Sequence, residues 1–189
     1  MREIALHLMD IAENSIAAKA RNIGIEVHED LQNDTLTATI IDDGCGMDAE
    51  TANQALDPFY TTRTTRKVGL GLPLFKLAAE MAEGGLSLLT DSGKGAKVEA
   101  RFRHSHIDRM PLGDLASTYL ALLIAHPEIH WVFVYQTTCK NGNVDNFEFD
   151  DTELKNELGD MPITEPEILK FVRGLIEEGI QASALQTSI

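Results

Sequence analysis

The stretch Asp42-Asp43-Gly44-Cys45-Gly46-Met47 follows a run rich in Thr and Ile, residues 35–41. Such a run reads as a β-strand, and the Asp and Gly residues after it read as its end. Two glycines one residue apart let the backbone approach a flat or charged ligand closely, because no Cβ intervenes. An aspartate beside them accepts a hydrogen bond from an exocyclic amine. A plain β-turn favours the same residue types, so the stretch takes its meaning from its neighbours.

Toward the N-terminus, Ile23, Ile25 and Val27 alternate and predict a strand over 23–28. Before it, Ile4, Leu8, Ile11 and Ala12 recur at helical spacing and predict a helix over 3–20. This helix carries Asp10-Ile-Ala-Glu13-Asn14-Ser15. Asp10 and Asn14 are four apart and share a face. Asn offers a neutral oxygen to Mg²⁺, and Asp orients a water or takes its proton.

Toward the C-terminus, Asp48 caps a short helix over 48–56, with Glu50 in its first turn. Residues 57–71 lack periodicity and read as a loop. It ends in Gly69-Leu70-Gly71-Leu72-Pro73, where Pro73 and the apolar set Leu74, Leu77, Ala78 and Met81 open a helix. Free N–H groups at a helix start favour phosphate, and Arg63, Arg66 and Lys67 stand just upstream. Gly84-Gly85 stops the helix. Residues 86–91 and 96–103 predict a hairpin around Ser92-Gly93-Lys94-Gly95. The order helix, strand, strand, helix, helix, strand, strand predicts an α/β two-layer sandwich with a mixed sheet.

In this order and spacing the motifs resemble the N, G1, F, G2 and G3 boxes of the GHKL superfamily, the Bergerat-fold ATPases that include histidine kinases, gyrase B subunits and mismatch-repair enzymes. Asp10 to Ala18 resembles the N box, Asp42 to Met47 the DxGxG box, Asp57-Pro-Phe-Tyr-Thr-Thr-Arg63 the F box of histidine kinases, and Gly69-Leu70-Gly71-Leu72 the end of their G2 box. The resemblance spans roughly residues 1–103. It implies ATP and Mg²⁺ as cofactors. Asn14 is then the Mg²⁺ ligand, and Asp42 bonds the adenine amino group. Gly44 and Gly46 let the chain pass the base, with Met47 beside them. Phe59 anchors the lid, Gly69, Leu70, Gly71 and Leu72 bring N–H groups to the phosphates, Arg63 or Lys67 adds charge, and Ala96 lies near the adenine. Asp10 and Glu13 are the candidate catalytic acids. The chain departs from the pattern in having Asp10 where gyrase-type enzymes carry Glu, and Lys67 where histidine kinases have the first glycine of the G2 box.

The domain organisation expected is an ATP-binding domain over 1–104 and an acidic α+β region over 108–189. The segment His104–Asp108 is the candidate boundary. In the second region a helix is expected over 111–126, a strand over 129–138 with Trp131, Phe133 and Tyr135 as core, a turn at Asn141-Gly142, a return strand with Phe147 and Phe149, a short helix with Leu154 and Leu158, and a last helix opened by Glu165-Pro166. The final residues from Gln181 on read as frayed, and Cys45 as a small packing residue.

The formal net charge of -14 argues against nucleic acid as a partner. Residues 108–189 hold 14 acids against 5 bases, which suits a protein-interaction module. Two widely spaced cysteines give neither a zinc motif nor a disulfide framework. Polar residues break the apolar N-terminal stretch, and no run is long enough to span a membrane, so a cytoplasmic protein is expected. Two functions fit: a stand-alone histidine-kinase-like ATPase or protein kinase in signalling, and a nucleotide-sensing module that binds ATP or ADP and a protein partner without turnover.

Overall fold

A computed structural model describes residues 3–57, 71–159 and 161–185. Six strands form one mixed sheet in the order β3-β4-β2-β1-β5-β6, with β1 at Asn22–Asp30, β2 at Thr35–Asp42, β3 at Gly85–Thr90, β4 at Ala96–Arg103, β5 at His130–Thr138 and β6 at Val144–Asp150. Every neighbouring pair is antiparallel except β1 and β5, which are parallel from Asn22↔His130 to Asp30↔Thr138. The helices are α1 (Ile4–Ala17), α2 (Ala49–Ala55), α3 (Gly71–Met81), α4 (Leu115–Ala125), α5 (Asp151–Leu158) and α6 (Pro166–Leu185).

The register explains why the sheet buries one face. Phe149, Phe133, Ile25, Ile40, Val98 and Leu88 form one row across all six strands. Phe147, Tyr135, Val27, Ala38, Ala100 and Leu86 form the next. Side chains paired across strands lie on the same face, so these rows make a continuous apolar surface. The stripe of α1, with Ile4, Leu8, Ile11 and Ala12, is buried in the same core, as are Phe75, Ala78 and Ala79 of α3, Tyr119 and Leu122 of α4, and Val172 and Ile176 of α6. The alternate residues, among them Glu26, His28, Thr37, Lys97, Glu99 and Gln136, line a cavity of about 350 Å³ on the other, polar face. The result is the α/β two-layer sandwich that the order of elements predicts, with a mixed sheet.

Residues beyond 108 extend this same sheet. Trp131, Phe133 and Tyr135 are at most 2% exposed and pair with Ile23, Ile25 and Val27. They are core. The boundary segment is itself a structural part. Glu3 offers no side-chain cap to α1. Instead Pro111 O and Leu112 O accept the first helical N–H groups, from Ile4 at 3.0 Å and Ala5 at 2.8 Å. Those N–H groups have no partner inside the helix.

That use of residues 111 and 112 is why the helix expected over 111–126 begins only at Leu115, capped by Asp114 accepting from Ser117 N at 2.8 Å. Two further expectations are corrected. Helix α6 continues through Gln181 to Leu185 because Ser183 is buried against the core. Cys45 is exposed and so does not fill space in the core.

His7 lies in α1 among these apolar residues, 1% exposed and stacked on Phe75 with ring centroids 4.9 Å apart. Neither ring nitrogen has a hydrogen-bond partner among the described residues. Burial lowers its pKa from the usual histidine value, with a smaller contribution from the N-terminal charge. The neutral ring is therefore the folded form, and the unfolded chain takes up the proton first as pH falls. Stability contributed here is full above the unfolded value of about 6.5 and declines below it, at most about 1.4 kcal/mol per pH unit for one proton. Urea denaturation of His7→Phe between pH 7 and pH 5 is expected to show a shallower decline than the parent; identical slopes would contradict this.

Trp131→Ala, which empties a fully buried position beside Ile23 near the start of the parallel pairing, is expected to cost about 3–5 kcal/mol in the same assay at pH 7.

Candidate nucleotide site

The site is assembled at the ends of β2, β3 and β4, where the apolar rows give way to a mixed one. Here Ile23, Asp42, Ala96 and Thr90 lie side by side in register. Asp42 therefore sits on the helix-covered face, half-buried. Ser15 Oγ donates to its Oδ2 at 2.6 Å, and Gly44 N donates to its Oδ1 at 2.9 Å. Each carboxylate oxygen keeps a lone pair for a further donor. Ala96 is the immediate neighbour of Asp42 in the register.

Thr90 locks the turn beside this row. Its Oγ1 accepts from Met47 N at 2.9 Å and donates to Gly95 O at 2.8 Å. Gly46 has φ +61° and Gly95 φ +80°. A Cβ on Gly46 would overlap Asp91 O, and one on Gly95 would overlap Asp42 O. The glycines of the DxGxG box and of the hairpin are thus required by each other's close approach. A Cβ on Gly44 would lie 2.9 Å from Ala18 O, so this position too is closed by the protein's own backbone.

Asp43 plays a different part from Asp42. It accepts from Arg21 N at 2.7 Å, Asn22 N at 2.9 Å and Asn22 Nδ2 at 2.6 Å. Burial alone would raise its carboxyl, but the hydrogen bonds from Asn22 and Arg21 outweigh this and hold it below the usual carboxylate range.

Helix α1 brings Asp10 and Asn14 against the start of α3. A Cβ on Gly71 would overlap Asp10 Oδ2 and stand 3.5 Å from Asn14 Nδ2. Gly71 and Leu72 are the first residues of α3 as described, so the backbone there lies next to a carboxylate and an amide. An amide oxygen and a carboxylate are hard donors suited to Mg²⁺, and the helix N-terminus suits phosphate. The residues present fit a magnesium nucleotide.

Glu13 is not brought to this corner. Its side chain is half-exposed and faces His126 at the end of α4, with Oε1 3.7 Å from Nε2. Phe59, Arg63, Lys67, Gly69 and Leu70 lie outside the described residues. A cavity of about 520 Å³ opens beside the row, lined by Asp42, Thr90 and Ala96 together with Ile41, Leu89 and Lys97 of the opposite face. It has no lining from α1 or α3, so it adjoins the corner described above rather than filling it.

Two residues of the site escaped the sequence reading. Ser15 sits four after Ile11, a hydroxyl within the apolar stripe, and that position was the signal. Thr90 continues the alternation of Leu86 and Leu88 on the buried face, and a polar residue ending such a run was again the clue.

An α/β sandwich with an aspartate at a strand end, paired acid and amide on the first helix, and a glycine-led helix start defines an ATP-binding class. The family model for histidine kinase-, DNA gyrase B- and HSP90-like ATPases matches residues 1–106, more than half of the chain, and the chain belongs to that family.

It is 28% identical over 103 residues to a protein named as a sensor in Shewanella frigidimarina, covering 54% of this chain and 15% of that protein. It is also 28% identical over 109 residues to an NtrY-like sensor histidine kinase of Rickettsia conorii, covering 57% and 18%. The chain thus spans less than a fifth of these relatives. Among solved structures, the N-terminal domain of a DNA repair protein superposes with a TM-score of 0.54 at 16% identity, over 77% of this chain and 52% of that one. That likeness concerns the fold. No helix among the described residues is long and apolar enough to cross a membrane.

Gly46→Ala tests the packing of the site. With a positive φ and Asp91 O in the way, it is expected to lower stability by about 1–3 kcal/mol or more. Thermal denaturation checks this, and a neutral effect would mean that the turn is not held as described.

Proposed function

We propose that this ATP-binding domain acts as a histidine-kinase-like ATPase or protein kinase using Mg²⁺. The observation that carries the reading is the meeting of Asp10 and Asn14 with Gly71 at the N-terminus of α3. In this reading Asp42 accepts a hydrogen bond from the adenine amino group while Ser15 and Gly44 hold its carboxylate in place. Asn14 offers its amide oxygen to Mg²⁺, whose bound form supplies charge neutralisation at the phosphates. The N–H groups opening α3 bind phosphate oxygens. Asp10 orients a hydroxyl or water and takes its proton, and Glu13, held by His126, is the weaker candidate. Arg63 and Lys67 add charge, with Phe59, Gly69 and Leu70 completing the lid side. Phosphoryl transfer of this kind depends on positioning and charge neutralisation more than on covalent help from the protein.

The second reading is a nucleotide-sensing module. It is favoured by the attachment of α1 to the region that follows the family match: Ile4 and Ala5 bond to Pro111 and Leu112, and Glu13 faces His126. A shift of α1 on nucleotide binding would pass directly to α4 and to a protein partner docked on residues 108–189.

Asp10→Asn separates the two. General-base removal typically costs about 10²–10⁴-fold in rate. The enzyme reading expects ATP turnover to fall by that order while nucleotide affinity stays within about threefold of the parent, since Asp10 acts in the transition state. Turnover unchanged in Asp10→Asn, or none in the parent despite binding, would overturn the enzyme reading.

A further inference from the structure

Where β5 begins and β6 ends, at the end of the sheet that also carries Asp42, three electron-rich side-chain atoms converge. His130 opens β5, Asp150 closes β6, and Asp151 begins α5. His130 Nε2 lies 2.9 Å from Asp150 Oδ1 and 3.8 Å from Asp151 Oδ1, and one ligand atom from each residue fits within a 4.8 Å span.

The hydrogen bonds around them determine where the protons are. Asp43 is a carboxylate and only accepts, so the Asn22 amide must turn its Nδ2 toward it, as the 2.6 Å contact requires. Asn22 Oδ1 then faces His130 Nδ1 at 3.0 Å and can only accept. A ring proton therefore sits on Nδ1. Nε2 faces Asp150 Oδ1, which as a carboxylate only accepts, so in the ion-free site Nε2 donates to it, and a metal ion would take the place of that proton on Nε2.

Asp151 gives an independent indication. Its side chain is 0% exposed, and its Oδ1 has no hydrogen-bond donor among the described residues. Lys155 Nζ approaches Oδ2 at 2.7 Å as an ion pair while also donating to Ile129 O at 2.5 Å. Oδ1 remains turned toward His130. A buried carboxylate with an unsatisfied oxygen costs free energy unless a donor or a metal meets it.

The geometry points to a divalent transition-metal site of the zinc class formed by His130 Nε2, Asp150 and Asp151. One imidazole nitrogen and two carboxylates are a donor set for zinc-like ions rather than for calcium. Zinc bonds of about 2.0–2.2 Å place tetrahedral ligand pairs about 3.4 Å apart, and the 2.9 Å and 3.8 Å separations lie on either side of that value. Two carboxylates against one lysine leave a net negative charge for the ion. His130 and Asp150 are 36% and 43% exposed, which leaves an entry path and a fourth position for water.

Asn22 is the positioning residue: it fixes the tautomer of His130 and is itself held by Asp43, which adjoins Asp42 of the nucleotide site. A residue that orients a ligating histidine in this way is worth about 10–100-fold in metal affinity. The site is separate from the Asn14 corner and does not depend on the nucleotide reading.

The test is calorimetric titration of the full chain with Zn²⁺ alone, without nucleotide or Mg²⁺, with Co²⁺ as a spectroscopic probe of a tetrahedral site. Expected is saturable binding of one ion, a tetrahedral cobalt spectrum and a rise in Tm on adding zinc. All three should be lost in His130→Ala, whose half-exposed position keeps the fold intact by circular dichroism. Asn22→Ala should bind about tenfold more weakly. No saturable binding by the parent, or undiminished binding by His130→Ala, would overturn the site and leave a protonated His130 paired with Asp150. Unchanged affinity in Asn22→Ala would overturn the positioning role.

Discussion

The hydrogen bond of 2.6 Å from Ser15 Oγ to Asp42 Oδ2 joins the first helix to the end of the second strand. Asp42 is half-buried on the helix-covered face of the sheet, where its carboxylate oxygens need hydrogen-bond donors. Ser15 supplies one from α1 and Gly44 supplies another from the following turn. The same turn is held by Thr90, by the approach of Gly46 to Asp91 and by that of Gly95 to Asp42. Because α1 is fixed at Ser15, its next polar face, carrying Asp10 and Asn14, is presented to the start of α3. The position of every candidate nucleotide contact among the described residues follows from that anchoring.

The parallel pairing of β1 with β5 is the second constraint. It carries the apolar rows across six strands, so one helix layer covers residues from both halves of the chain. A parallel neighbour cannot follow through a tight hairpin. The chain instead crosses by way of residues 104–114 and α4, and on the way it satisfies the N–H groups at the start of α1. The segment that resembles a domain boundary by composition thus acts as a cap. It lies between α1 and α4, and a second chain of hydrogen bonds runs from Asp43 through Asn22 and His130 to Asp150 at the end of β6.

Much of this was legible in the residues. Alternation in 23–28 and 96–103 and helical spacing in α1 and α3 located the elements, because those faces are buried against one core and the periodicity is strong. The Asp48 cap was also readable, and the bond from Thr51 N to Asp48 Oδ1 is 2.8 Å. What was not legible depended on pairing at long range. Nothing local in Trp131–Tyr135 says that its neighbour is β1. Nothing local in Pro111 and Leu112 says that their carbonyls serve another helix and delay their own. Glu13 seemed a substitute for Asp10 by proximity in sequence, yet a step of three along the helix turns it toward His126. Ser15 and Thr90 were quoted or passed over because hydroxyl residues are common, and only the fold shows what they hold.

The central claim is that Asp42, held by Ser15 and Gly44, recognises adenine. Calorimetric titration with a non-hydrolysable ATP analogue in the presence of Mg²⁺, comparing the parent with Asp42→Asn, tests it most directly. The account predicts saturable binding by the parent and affinity weakened by at least about tenfold in the variant, the scale of one charge-assisted hydrogen bond. Equal affinities in the two proteins, or no binding by a folded parent, would contradict it.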